Sequence, residues 1–168
     1  MTARAQGAQG EEVCGLRPGR FKDTPSEVNA VARRVVDAAV EVHRHLGPGY
    51  LEAVYQEALE VELGLRGVSF ERQAIFRVTY KQREVGAGRL DLLVERCVVV
   101  ELKAVDQLHE LHVAQALSYL KGTGLSLALL INFKVPVLLR GVRRVAANPP
   151  RAQDGAVVDA LASRRPDD

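Results

Sequence analysis

The sequence predicts an α/β (α+β) domain with one mixed sheet flanked by helices, its elements in the order ααβββαββ. Three observations carry that prediction. Apolar residues recur at helical spacing from Val28 to about Gly64. From Phe70 the pattern turns to alternation rich in β-branched and aromatic residues, and it stays strand-like to Val105. One further helical stretch, 108–122, separates these strands from two later ones.

The first helix opens on Thr24-Pro25-Ser26-Glu27, which reads as a capping box: Thr24 at the N-cap, Pro25 at the first helical position, Glu27 reaching back. Val28, Val31, Val35, Ala39, Val42 and Leu46 form its apolar face, and Gly47 ends it. A second helix, about 51–64, follows Gly47-Pro48-Gly49 and stops at Gly64, with Leu51, Val54 and Ala58 expected to pack inward. Residues 70–80, 88–95 and 97–105 read as three strands, 126–133 as an apolar strand and 137–145 as the last.

The 168 residues suffice for one domain, here 24–147, between a leader (1–23) and a tail (148–168) whose composition predicts disorder. A net charge of +2 neither excludes nor advertises a nucleic-acid partner, because clustering of basic residues matters more than their sum. Cys14 and Cys97 do not make a disulfide framework, which fits a reducing, cytoplasmic setting. No apolar run approaches the roughly 20 residues of a membrane span, and no apolar segment marks a secretory signal.

The chemistry concentrates on the second and third strands. If these form a hairpin looped at Glu95-Arg96-Cys97, Val94 faces Val98 and Asp91 falls opposite Glu101. Opposed residues share a face, and Lys103, two positions on, shares it too. A two-residue loop would send Glu101 to the other side. Two like charges this close raise one pKa unless a cation sits between them. Lys103 is one candidate cation; Mg²⁺ or Mn²⁺ suits such hard oxygen ligands better. The competing reading is a solvated strand end. Gln115 and Tyr119, one turn apart on the following helix, tilt the balance toward a site wall.

These residues resemble the PD-(D/E)XK nuclease superfamily, and within it the small family named for a G-x-x-E-x-x-Y motif. That motif stands as Gly49, Glu52 and Tyr55; the nuclease core as Asp91 and Glu101-Leu102-Lys103; Gln115 and Tyr119 match the Q-x-x-x-Y motif of the RecB-like branch. Leu90 stands where the superfamily name has proline. The resemblance covers about 25–147 and implies a restriction-endonuclease-like core. It implies a metal held by Glu52, Asp91, Glu101 and the Leu102 carbonyl, with Lys103 orienting the attacking water and Gln115 and Tyr119 steadying Lys103 or the phosphate. The implied activity is Mg²⁺- or Mn²⁺-dependent hydrolysis of nucleic acid, DNA in the first instance. Without that role, Glu52 would simply stabilise a helix N-terminus, by about 0.3–1 kcal/mol.

Arg89, Lys121, Arg140 and Arg144 are the expected backbone contacts, with Arg140 and Arg144 on one strand face by even spacing and Arg89 on the face of Asp91. The rival reading is a non-catalytic nucleic-acid-binding or protein-interaction module on the same fold. No recognition domain is visible, so any specificity is weak or borrowed from a protein partner. Other motifs are weaker. His109 and His112 are one residue too close for the H-E-x-x-H zinc motif, Gly47-Pro48-Gly49 lacks the Lys-Ser/Thr of a phosphate loop, and Cys97 reads as a buried small side chain.

Overall fold

Helix α1 (Ser26–Leu46) buries Val28, Ala32, Val35, Ala38, Ala39 and Val42, and Gly47, at a φ of 68°, turns the chain out of it. A computed structural model describes residues 25–147. Thr24, the leader and the tail lie outside the described residues. Pro25 takes the N-cap position rather than the first helical one, and among the described residues no side chain caps the helix.

Helix α2 (Glu52–Leu65) runs past Gly64; its C-cap is Arg66, and the left-handed turn falls at Gly67. Its buried side is Tyr55, Leu59 and Leu63. Of the three residues expected to pack inward, Ala58 rests half-buried against the core, while Leu51 is 79% exposed and Val54 40%. The helix carries two apolar stripes of the same period, and periodicity alone does not say which one meets the core. Tyr55 decides it, because its ring stacks on Phe133 at 4.5 Å.

Among the described residues seven strands replace the five expected. They are β1 (Phe70–Arg72), β2 (Ile75–Tyr80), β3 (Arg83–Arg89), β4 (Leu92–Val94), β5 (Val98–Lys103), β6 (Leu127–Asn132) and β7 (Val142–Ala146). Helix α3 (Glu110–Thr123) joins β5 to β6, and Gly124 closes it in the left-handed conformation. The single strand expected over 70–80 breaks at Gln73, which has a φ of 53°. The strand expected over 88–95 divides into the end of β3 and β4. The stretch 137–145 begins as a 3-10 turn, Leu138–Arg140, and only then becomes β7.

Five strands form one sheet in the order β1-β4-β5-β6-β7, with β5 and β6 parallel and the other neighbours antiparallel. Helices α1 and α2 cover the face that bears Leu92, Val94, Val98, Val100, Leu102, Leu127, Leu129 and Ile131. Helix α3 covers the face that bears Leu93, Val99, Ala128, Leu130 and Val145. Burial on both faces explains why β5 and β6 read as unbroken apolar runs. A crossover through a helix is what a parallel pair requires.

Strands β2 and β3 form a separate ribbon closed by Lys81 and Gln82, both at positive φ. The ribbon is pinned to α3 by Phe76. A Cβ at Gly88 or Gly122 would overlap that ring, so both positions must be glycine for it to seat.

Candidate active site

The β4–β5 hairpin has the register that the spacing predicts: Val94 pairs with Val98 and Leu92 with Val100. Glu95 and Arg96, both at positive φ, make the turn, and the Cys97 N–H closes it on the Val94 carbonyl at 3.0 Å. Strand β4 then ends at Leu92, while β5 continues to Lys103. The far end of β5 is left with main-chain donors that no strand pairs.

Two acids take those places. Asp91 Oδ2 accepts the Leu102 N–H at 2.9 Å. Glu52, at the first position of α2, accepts the Ala104 N–H. The helix edge therefore carries a carboxylate where the chain leaving β5 presents the Ala104 N–H. Alternation along β5 sends the side chains of Glu101 and Lys103 to the α3 face, beside Asp91.

Glu101 is buried, and Lys103 Nζ lies 3.4 Å from its Oε1. Its Oε2 has no hydrogen-bond partner; among the described residues only Ser126 Oγ shares that condition. Desolvation, followed by the negative charge of Asp91, pushes the Glu101 carboxyl up to about 7 despite the opposing pull of Lys103. Partial desolvation also raises Glu52, and Asp91 adds to it; Lys103, the Ala104 N–H and His112 oppose the rise.

From α3, Gln115 Nε2 donates to the Tyr119 hydroxyl at 2.7 Å. Burial raises the Tyr119 pKa, with Glu101 the next cause, so this pair does border the acids. Phe76 of the ribbon meets Tyr119 edge to face at 5.4 Å. The structure thus brings Glu52, Asp91, Glu101, Lys103, Gln115 and Tyr119 to one end of β5, with the Leu102 main chain between the acids. Among the described residues no three His, Cys, Asp or Glu side chains already converge as a cation cage.

The basic residues are placed differently from expectation. Arg140 is in the 3-10 turn, not on β7, so even spacing does not put it beside Arg144. Arg144 pairs in register with Leu129 and donates to Asn29 Oδ1 at 2.6 Å, on the α1 face. Arg143 pairs with Leu130, on the face of Glu101, and lies 3.9 Å from Glu110. Arg89 ends β3 on the ribbon, so the regular strand that would align it with Asp91 is interrupted. Lys121 is exposed in the last turn of α3.

Three further contributors lie outside the predicted site set. Asn132 is buried and binds both the N–H and the carbonyl of Val105, at 3.1 and 2.8 Å, fixing the loop after β5 next to the Glu52 contact. His112 acts on Glu52 from α3. It also borders a groove with Ala104, Asp106, Gln107, His109 and Lys134. The Tyr55 hydroxyl accepts the N–H groups of Gly49 and Tyr50, at 2.8 and 3.0 Å, and donates to the Gly47 carbonyl, clamping the loop that aims α2 at the site. Tyr55 carried a signal in its spacing from Gly49 and Glu52, and His112 in lying three residues before Gln115 on the same helix side; Asn132 carried none.

Among the described residues no helix is long and apolar enough to cross a membrane. The family model of the PD-(D/E)XK nuclease superfamily matches residues 29–145. No curated protein and no solved structure matches the chain. The match spans both leading helices, the acidic hairpin and the strands after α3, and the chain belongs to the PD-(D/E)XK nuclease superfamily.

Proposed function

We propose that this protein is a Mg²⁺- or Mn²⁺-dependent nuclease that hydrolyses DNA phosphodiester bonds, a member of the group with the G-x-x-E-x-x-Y motif. The observation that carries the reading is the buried Glu101 Oε2, unpartnered beside the Asp91 carboxylate. An orphaned buried acceptor costs on the order of 1–3 kcal/mol, more when charged. A hard cation repays that cost and suits an all-oxygen donor set.

The donors fit such an ion. Asp91 and Glu101 would hold it, joined by the Leu102 carbonyl, since a strand residue directs its C=O to the same side as its N–H. Glu52, one main-chain contact away at Ala104, completes the acidic set. When bound, the ion supplies charge stabilisation at the phosphate. Lys103 orients the attacking water and keeps the paired acids from full mutual repulsion. Gln115 and Tyr119 steady Lys103 and offer donors to the phosphate. Arg89, Lys121 and Arg140 supply backbone contacts from separate elements, while Arg144, held by Asn29 on the α1 face, is set apart from them; specificity is weak or borrowed from a protein partner.

The rival, a binding module without catalysis, has no use for clustered carboxylates, which repel phosphate in the absence of a cation. Incubation of single- and double-stranded DNA and RNA with Mg²⁺ or Mn²⁺, against an EDTA control, separates the two. Cation-dependent cleavage of DNA supports the proposal. Binding in EDTA with no cleavage under any condition supports the rival.

A further inference from the structure

The β2–β3 ribbon starts at the acids and runs outward. At its base the Gln73 N–H donates to the Asp91 carbonyl and the Leu90 N–H to the Ala74 carbonyl, both at 2.9 Å. From there β2 extends six residues, about 20 Å. Alternation sends Phe76, Val78 and Tyr80 to the face that meets α3. The register adds their partners to that face: Gly88, Gly86 and Arg83. Past Phe76, which is buried, every ribbon residue on this face but Gly88 is exposed.

Gly86 has no reason within the fold to be glycine. Gly88 must admit the Phe76 ring, but a Cβ at Gly86 would meet nothing within 4 Å. The register shift beside it, between Val78 and Thr79, does not force it into the left-handed region, where glycine would be needed. Glycine weakens a strand, and where packing does not ask for it, it marks a close approach from outside. Beyond Gly86 the face ends in Tyr80, 64% exposed, with Lys81 Nζ 5.4 Å from the ring centre. Residues 75–89 hold four basic side chains and one acid. That acid, Glu84, pairs in register with Thr79 on the opposite face and lies 3.5 Å from Arg77.

We propose that this face is a binding track for an unpaired DNA strand. A base stacks on Tyr80, the sugar-phosphate backbone passes over Gly86, and Lys81 and Arg83 hold phosphates. Stacking on a side chain needs a base free of its duplex partner, and a face with cations and no acid suits phosphate. An apolar protein partner would find half the face without side chains. The track ends at Phe76, edge to face with Tyr119, so it leads to the acids. Arg89 pairs with Ile75 on the other face and lies outside it. The inference rests on the nuclease reading for the identity of the strand, and adds where that strand is held.

Fluorescence anisotropy of a labelled oligothymidylate in Ca²⁺ at low salt tests it, with Mg²⁺-dependent cleavage measured alongside. Tyr80→Ala should weaken binding roughly tenfold, and Tyr80→Phe should bind like the unmodified chain. The same oligonucleotide paired with its complement should be indifferent to Tyr80→Ala. Gly86→Val should weaken binding of the single strand by a similar factor while the melting temperature holds or rises, because valine favours a strand and the space is open. If Gly86→Val lowers the melting temperature, the two Tyr80 variants decide alone. Cleavage by the unmodified chain with Tyr80→Ala binding undiminished overturns the track and leaves the nuclease reading standing. Weakened binding in Tyr80→Ala, restored in Tyr80→Phe, with no cleavage by any form, supports the track and removes the nuclease. No binding of the single strand by the folded, unmodified chain, or an equal loss on the duplex, overturns the track.

Discussion

The carboxylate of Asp91 accepts the Leu102 N–H at 2.9 Å, just past the last β4–β5 pair, Leu92 with Val100. An acid stands where a longer strand would have placed a main-chain carbonyl. Glu52 does the same for Ala104. Truncating β4 therefore frees one edge of β5 for Asp91, the residue just beyond β5 takes Glu52, and these two contacts give both acids fixed positions before any ligand arrives.

Glu101 makes stability depend on pH. Its carboxyl is raised from an ordinary 4.5 to about 7 in the fold, so between those values the folded state binds more protons than the unfolded one. Stability then falls as pH rises through that window, and the loss is complete above about 7. The size is roughly 3 kcal/mol at most. Glu101→Gln should flatten this dependence and be the more stable protein at pH 8. Urea unfolding from pH 5 to 8 in EDTA checks it; parallel curves for the two proteins would contradict it.

The hairpin register was legible because an even separation of ten between Asp91 and Glu101 and a short polar loop leave few pairings that bury Val98 to Val100. The β2–β3 ribbon was not. Residues 83–89 hold two glycines and only one β-branched residue, Val85. Gly88 is there to admit the Phe76 ring, a long-range demand that local pattern does not express. The turn at Lys81-Gln82 lacks the Asn-Gly signal that left-handed hairpin turns usually show. At the site, Glu52, Asp91, Glu101, Lys103, Gln115 and Tyr119 were legible as a set. Asn132 was not, since it reads as one more strand residue until the loop it holds is seen.

Tyr55 should act on position rather than chemistry. Tyr55→Phe keeps the stack on Phe133 but strips partners from Gly47, Gly49 and Tyr50. A loss of about 1–3 kcal/mol in unfolding free energy is expected. An unchanged urea midpoint would show that the loop holds its shape without the hydroxyl.

Divalent cation should stabilise the fold by mass action. The melting temperature is expected to climb with Mn²⁺, and Asp91→Ala to abolish the climb. A flat response of the unmodified protein to millimolar Mn²⁺ would count against Asp91 and Glu101 as ligands.

Arg89→Ala and Lys103→Ala should part company. A lost phosphate contact flattens the log–log salt dependence of duplex binding by about 0.9, with similar weakening for all sequences. That is the expectation for Arg89, measured in Ca²⁺. Lys103→Ala should leave most of that binding intact, and Arg89→Ala should leave turnover at saturating DNA largely intact. An unaltered salt slope in Arg89→Ala would remove this residue from the interface.

The central claim is that Lys103 and the paired acids carry out hydrolysis with a divalent cation. The most direct measurement is single-turnover cleavage of labelled DNA in Mg²⁺ by the unmodified chain and by Lys103→Ala at matched occupancy. The account predicts cleavage that EDTA stops and that Lys103→Ala slows by roughly 10²–10⁴-fold, the range for a positioned proton-handling side chain. Full Mg²⁺-dependent cleavage by Lys103→Ala, or no cleavage by the unmodified, folded protein bound to DNA, would contradict it.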